Sequence, residues 1–197
     1  VAVTDILAEI SSESFTQWND GILRLYERWL KTRSKRDERL LFKKGIIPNE
    51  SQFMVSVGRI SKMKGFHLVI KILPKLLQKY HNLYYVIIGD DDGYKDALIS
   101  LSRTLGVEKH IIFTGFIDEN KKLSYVKECD AYIVPSLWEP FGLTALEGLA
   151  MKKVVLTTGS GGLKEFLEAS SNVLFFDKDD ETSLYHMLTA ILDEKEI

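Results

Sequence analysis

A single cysteine, Cys129, excludes an internal disulfide framework in this chain of 197 residues. It stands just before an apolar run and reads as a small buried hydrophobe rather than a nucleophile. Histidine is scarce too: His67, His81, His110 and His186 are too scattered for a metal-ligand pattern, so no metal is expected. No apolar run approaches the roughly 18 residues that a membrane span requires. Neither sign of charge dominates, with a net charge of −2, which argues against a nucleic-acid footprint. The chain begins Val-Ala-Val, without an initiator methionine or a signal-peptide pattern, and is expected to be a trimmed piece of something longer. What the sequence does have is 45% hydrophobic residues, enough for a full core.

The hydrophobic pattern alternates between short apolar runs and amphipathic stretches. Strands are predicted at 53–58, 83–89, 110–115, 130–135, 153–157 and 173–176, and helices at 64–80, 93–105, 119–128, 142–151, 161–169 and 180–194. This order implies an α/β fold, a doubly wound, Rossmann-like parallel sheet with right-handed crossovers and helices on both faces. In such a fold ligands sit at the carboxyl ends of the strands. In the first long helix Phe66, Val69, Ile72 or Leu73, Leu76, Leu77 and Tyr80 line one side. Pro74 lies within it and should bend it, and Gly106 is expected to cap the second helix. Residues 51–197 make up the sheet domain. Residues 1–50 read as a helical lead-in or linker with a charge run from Lys31 to Arg39.

The most informative stretch is 139–147, Glu-Pro-Phe-Gly-Leu-Thr-Ala-Leu-Glu. It follows the run Ala131 to Val134 and opens a helix whose core face is marked by Leu143, Leu146, Leu149 and Ala150. Free N–H groups at a helix start suit an anion. Glu139 and Glu147 flank this start; acids repel phosphate, so they suit hydroxyl groups instead. Phosphate and polyhydroxyl together suggest a nucleotide-sugar. Taken alone, the Glu-x7-Glu spacing says little, because 28 acidic residues give many such pairs by chance.

A second pattern follows the first strand: Gly58-Arg59-Ile60-Ser61-Lys62-Met63-Lys64-Gly65. Arg59 and Lys64 bracket a strand-to-helix loop, where they are either solvated surface charges or phosphate ligands. Arginine clamps a phosphate through a planar fork, and lysine supplies a mobile point charge. Thr157-Thr158-Gly159-Ser160-Gly161-Gly162 is glycine-rich and opens a helix, so it is either an anion nest or a flexible turn. Phe116 and Ile117 follow Gly115 in the loop after the third predicted strand, where core packing is one reading. Asp90-Asp91-Asp92 reads as a turn and helix cap.

The string Pro135-Ser-Leu-Trp-Glu-Pro-Phe-Gly-Leu-Thr-Ala-Leu-Glu-Gly closely resembles the signature of retaining nucleotide-sugar glycosyltransferases of the two-domain GT-B class. These are the group 1, family 4-like enzymes that include glycogen synthases, sucrose-phosphate synthases and many lipid and polysaccharide glycosyltransferases. The resemblance covers roughly residues 36–190 and corresponds to the second, donor-binding domain. It implies that Arg59 and Lys64 hold the donor diphosphate, beginning from Gly58. It implies that Glu139 holds the hydroxyls of the transferred sugar, and that Glu147 accepts the ribose hydroxyls. The amides of Phe141, Gly142 and Leu143, with Thr144, would bind sugar and phosphates. Phe116 or Ile117 would lie near the base, and Gly161 and Gly162 beside the donor, although Ser160 interrupts the family's Thr-Gly-Gly-Leu string.

Further expectations follow from the resemblance: hexose transfer with retention from a nucleoside-diphosphate sugar, no cofactor, and a carbohydrate or other hydroxyl acceptor held by an N-terminal domain outside this chain. The domain alone is expected to be inactive, and the protein cytoplasmic. Competing readings are a non-catalytic nucleotide-sugar-binding or scaffold domain and a sugar-nucleotide epimerase of the same fold. An NAD-binding domain is disfavoured, since no Gly-x-Gly-x-x-Gly follows the first strand.

Overall fold

The structure, a computed structural model, describes residues 47–48, 51–139, 142–161, 164, 167 and 172–193. Apolar runs rich in β-branched and aromatic residues form six strands: β1 (Gln52–Val57), β2 (Leu83–Ile88), β3 (Ile111–Gly115), β4 (Ala131–Val134), β5 (Val155–Thr157) and β6 (Val173–Phe175). All six predicted strands are present, and they pair in parallel in the order β3-β2-β1-β4-β5-β6.

The helices are α1 (Phe66–Lys79), α2 (Lys95–Thr104), α3 (Glu119–Glu128), α4 (Leu143–Ala150) and α5 (Glu181–Asp193). Side chains alternate across the sheet with the strand period. Met54, Tyr85, Ile87, Ile133 and Leu156 face Val69, Leu73, Leu98 and Leu188 in one apolar layer, built with α1, α2 and α5. Phe53, Val55, Val86, Ile88, Tyr132 and Val155 face Tyr125, Val126, Ala145 and Leu149 in the other, built with α3 and α4. Each fully buried Leu, Ile or Phe contributes about 1.5–3 kcal/mol. Two buried hydroxyls on one face of the sheet are partnered: Tyr85 donates to Ser56 Oγ at 2.8 Å, and Ser56 donates to the Ile133 carbonyl at 2.7 Å. Cys129 is fully buried at the end of α3.

Two expectations need correction. The first helix begins at Phe66 rather than 64, because Lys62–Lys64 form a separate 3-10 turn and Gly65 turns left-handed at φ 68°. It then runs through Pro74 as one element. The core face of α4 keeps Leu149 and the partly buried Leu146 of the predicted stripe, but Ala145 and Gly148 complete it rather than Leu143 and Ala150. The cause is the Tyr132 ring, which lies so close to Gly148 that a Cβ there would collide with it. Gly106 closes α2 as expected: its N–H reaches the Arg103 carbonyl, and the Val107 N–H reaches that of Ser102. The predicted helix 161–169 and the lead-in 1–50 fall almost wholly outside the described residues.

Strand order reverses at β1. The chain steps from β1 outward to β2 and β3, then returns to place β4 on the opposite side of β1. A crevice therefore opens between the loops that leave the carboxyl ends of β1 and β4.

Candidate functional site

The loops after β1 and β4 are fastened to each other across that crevice. The Leu137 N–H donates to the Met63 carbonyl at 2.8 Å. Gly65 lies against the Pro135 carbonyl, leaving no room for a Cβ. The Lys64 stem runs past Gly58, where an added Cβ would lie 3.3 Å from Lys64 Cε. Lys64 Nζ then reaches Glu139 Oε2 at 2.6 Å, with the two side chains 25% and 10% exposed. The same Glu139 oxygen accepts from Ser136 Oγ at 3.3 Å, and its Oε1 accepts from the Gly142 N–H at 3.3 Å.

The glycine-rich loop after β5 completes the floor. Glu139 and Gly161 form a parallel bridge. Gly161, at φ 76°, packs so closely that a Cβ would lie 2.5 Å from the Glu139 carbonyl oxygen. Thr158 Oγ1 donates to the Ser136 carbonyl at 2.6 Å. Gly142 turns left-handed at φ 65° to start α4, with no side chain capping the helix. The Gly142 N–H, expected from the sequence to face a ligand, is taken by Glu139 instead. Phe141 and Gly162 lie outside the described residues.

Arg59 stands on the rim, its side chain 78% exposed and Nη1 3.5 Å from Asp92 Oδ2. Asp91 Oδ1 accepts from the N–H groups of Tyr94 and Lys95, which makes the acidic turn a cap for α2, as expected. At the sheet edge Phe116 is 77% exposed, while Ile117 packs into the apolar layer under α3 and α4. The structure thus separates two residues that the sequence left equivalent.

Glu147, on the second turn of α4, belongs to a different cluster. Its Oε1 accepts from Lys122 Nζ at 2.9 Å, and Lys122 also reaches Glu119 at 2.9 Å. Burial holds the Glu147 carboxyl above its usual range, and the Lys122 charge opposes this without overcoming it. Burial also pulls on the Lys122 ammonium, but the carboxylates of Glu147 and Glu119 outweigh that and raise it. Both directions are consistent with a buried carboxylate whose one donor among the described residues is Lys122. Glu147 Oε2 and the Thr144 hydroxyl are buried without a hydrogen-bond partner among the described residues.

The structure brings together Lys64, Glu139, Gly58, Gly142 and Gly161, with Leu143 and Thr144 opening α4 just beyond. Arg59 is left on the rim. Sequence reasoning missed Ser136, Thr158 and Lys122. Ser136 lies in the motif string and was open to notice, whereas Lys122 sits on another helix with no motif to mark it. Among the described residues no cluster of His, Cys, Asp and Glu suits a metal ion, and no helix is long and apolar enough to cross a membrane.

The comparisons agree with this geometry. An uncharacterised glycosyltransferase of Methanocaldococcus jannaschii is 33% identical over 69% of this chain and 35% of its own length. A glycogen synthase of Mycobacterium tuberculosis is 30% identical over 72% of this chain and 34% of its own. The chain therefore spans about a third of the length of these curated relatives. Among solved structures, the C-terminal domain of a group 1 glycosyl transferase from Francisella tularensis superposes with a TM-score of 0.68 at 26% identity, covering 84% of this chain and 85% of that one. The Anabaena protein HepE, solved with UDP and glucose, superposes with a TM-score of 0.70 at 23% identity over 83% of this chain and 44% of its own. The family model of group 1 glycosyl transferases matches residues 37–197, and the chain belongs to that family.

Proposed function

We propose that this chain is the donor-binding domain of a retaining glycosyltransferase that moves a hexose from a nucleoside-diphosphate sugar to a hydroxyl acceptor. The observation that carries the reading is the meeting of Lys64 and Glu139 at 2.6 Å in the crevice where strand order reverses, beside the uncapped start of α4. A cation, a carboxylate and free helix amides at one point suit a ligand with a diphosphate and a hydroxylated ring.

In this reading Arg59 and Lys64 hold the diphosphate and neutralise the charge that develops on it as the glycosidic bond breaks. The Leu143 amide and Thr144 add to this grip, together with Gly161 and the neighbouring Gly162 and Phe141. Glu139 orients the hydroxyls of the transferred sugar. Glu147 takes the ribose, and the exposed Phe116 ring covers a face of the base. The departing phosphate accepts the proton of the acceptor hydroxyl, and the acceptor is held by the part of the relatives that this chain does not match. No cofactor takes part in this scheme.

Calorimetry with UDP, ADP and GDP, without added metal, tests the proposal. One of the three is expected to bind with a Kd between about 1 μM and 1 mM, equivalent to about −8 to −4 kcal/mol. HepE was solved with UDP, which makes UDP the first ligand to try. Absence of heat with all three at millimolar concentration sinks the reading. Binding without transfer is the expected behaviour of the chain by itself, because positioning two substrates needs both halves of the cleft.

A further inference from the structure

Outside the crevice, the most unusual chemistry lies between α3 and α4. Glu147 Oε1 is held by Lys122 at 2.9 Å, while Glu147 Oε2, the Thr144 hydroxyl and the Tyr132 hydroxyl are all buried without a hydrogen-bond partner among the described residues. Buried polar atoms in folded proteins nearly always have partners, and an exception calls for a ligand, a water or strain to explain it. Thr144 lies one turn before Glu147 on α4, so the two side chains share a face. Tyr132 projects from β4 beneath the same helix, against Gly148, and lies within electrostatic reach of Glu147.

We propose that Lys122 is the positioning residue of the nucleoside subsite: it occupies one oxygen of Glu147 and so leaves the other as a single unfilled acceptor for the ligand. This rests on the reading above, in which Glu147 takes the ribose. The lysine has a second effect. Glu147 is largely buried, and its only ionic donor among the described residues is Lys122. Facing it are Lys122 and Glu119 from α3 and Tyr132 from β4, and Glu119 adds a like charge that Lys122 also neutralises at 2.9 Å. Without Lys122, burial and Glu119 both favour the protonated acid, which donates through one oxygen and grips a hydroxyl less firmly.

Two variants and two probes test this. In Lys122→Met, affinity for whichever of UDP, ADP and GDP binds is expected to fall several-fold at pH 6 relative to wild type, as more of Glu147 takes the protonated form. It should recover most of that loss by pH 8.5. Inorganic pyrophosphate, which has no ribose, should bind the variant as it binds wild type at each pH. Lys122→Arg should restore the wild-type pH profile. An equal, pH-independent loss for nucleotide and pyrophosphate means a merely structural lysine and overturns the proposal, as does a wild-type profile in Lys122→Met. A measurement without nucleotide keeps this separate from the donor-site reading: the 13C carboxyl shift of Glu147, followed against pH in the free protein. Its midpoint should rise in Lys122→Met and stay near wild type in Lys122→Arg. An unmoved midpoint overturns the inference whether or not any nucleotide binds, whereas failure of wild type to bind any nucleotide defeats only the donor-site reading.

Discussion

Lys64 and Glu139 are 75 residues apart in sequence and 2.6 Å apart in space. The ammonium that would meet a diphosphate is already neutralised by the carboxylate that would meet the sugar. An arriving diphosphate must therefore share Lys64 with Glu139, and the lysine's several donors permit such sharing. The two subsites are coupled through one proton-rich nitrogen.

That coupling yields opposite effects for two ligands in Glu139→Gln. A nucleoside diphosphate should bind several-fold more tightly, since the competing charge on Lys64 is gone. The intact sugar nucleotide should bind less tightly relative to it, by about 1–3 kcal/mol for weakened charged hydrogen bonds. Titrating the variant with both ligands checks the prediction, and equal changes for the two contradict it.

The two cations should separate when stability is measured beside binding. Arg59→Ala and Lys64→Ala are both expected to weaken diphosphate binding, with a loss that shrinks at high salt. Only Lys64→Ala should also destabilise the fold, by about 1–3 kcal/mol, because it leaves the nearly buried Glu139 without its cation. Arg59 is exposed on the rim, and its pairing with Asp92 contributes at most about 1 kcal/mol. Urea unfolding of the two variants reads the difference.

Gly161→Ala should disturb the site through the backbone. Gly161 sits at φ 76° with no room for a Cβ beside the Glu139 carbonyl. The substitution is expected to destabilise the protein by about 1–3 kcal/mol. Because it displaces the Glu139 loop, sugar-nucleotide affinity should fall more than nucleoside-diphosphate affinity. Unchanged values in thermal melts and calorimetry contradict the close approach described here.

Acid stability should depend in part on His67. Burial lowers its imidazole below the ordinary value of 6.5, and the charges of Lys71 and Lys62 lower it further. The unfolded chain thus takes up a proton that the native one resists. The stability associated with the neutral ring is present above about pH 6.5 and is lost progressively as the pH falls from there through the lowered native value. His67→Phe keeps a ring beside Tyr94, which His67 meets edge-on at 6.0 Å between centroids. The variant should lose less stability than wild type between pH 7.5 and 5.5 in urea titrations.

The fold was legible because its signals are local. Each strand is a short, mainly apolar run with β-branched or aromatic residues, and most helices carry local signals of their own; Asp91 and Gly106 mark the two ends of α2. The core face of α4 was legible only in part: Leu146 and Leu149 were read from the period, Ala145 and Gly148 were not. It is set by the Tyr132 ring on β4, which lies against Gly148 and forms no part of the helix's own period.

The sequence by itself determined the alternation of strands and helices, the two charged loops and the family they resemble. Only the tertiary structure decided which of those charges meet. Lys64 finds Glu139 because β4 returns to lie beside β1, and Glu147 finds Lys122 because α3 and α4 share one face of the sheet. Periodicity records where a side chain points relative to its own backbone. Strand order is chosen by the burial of both sheet faces at once, and no window of neighbouring residues contains it.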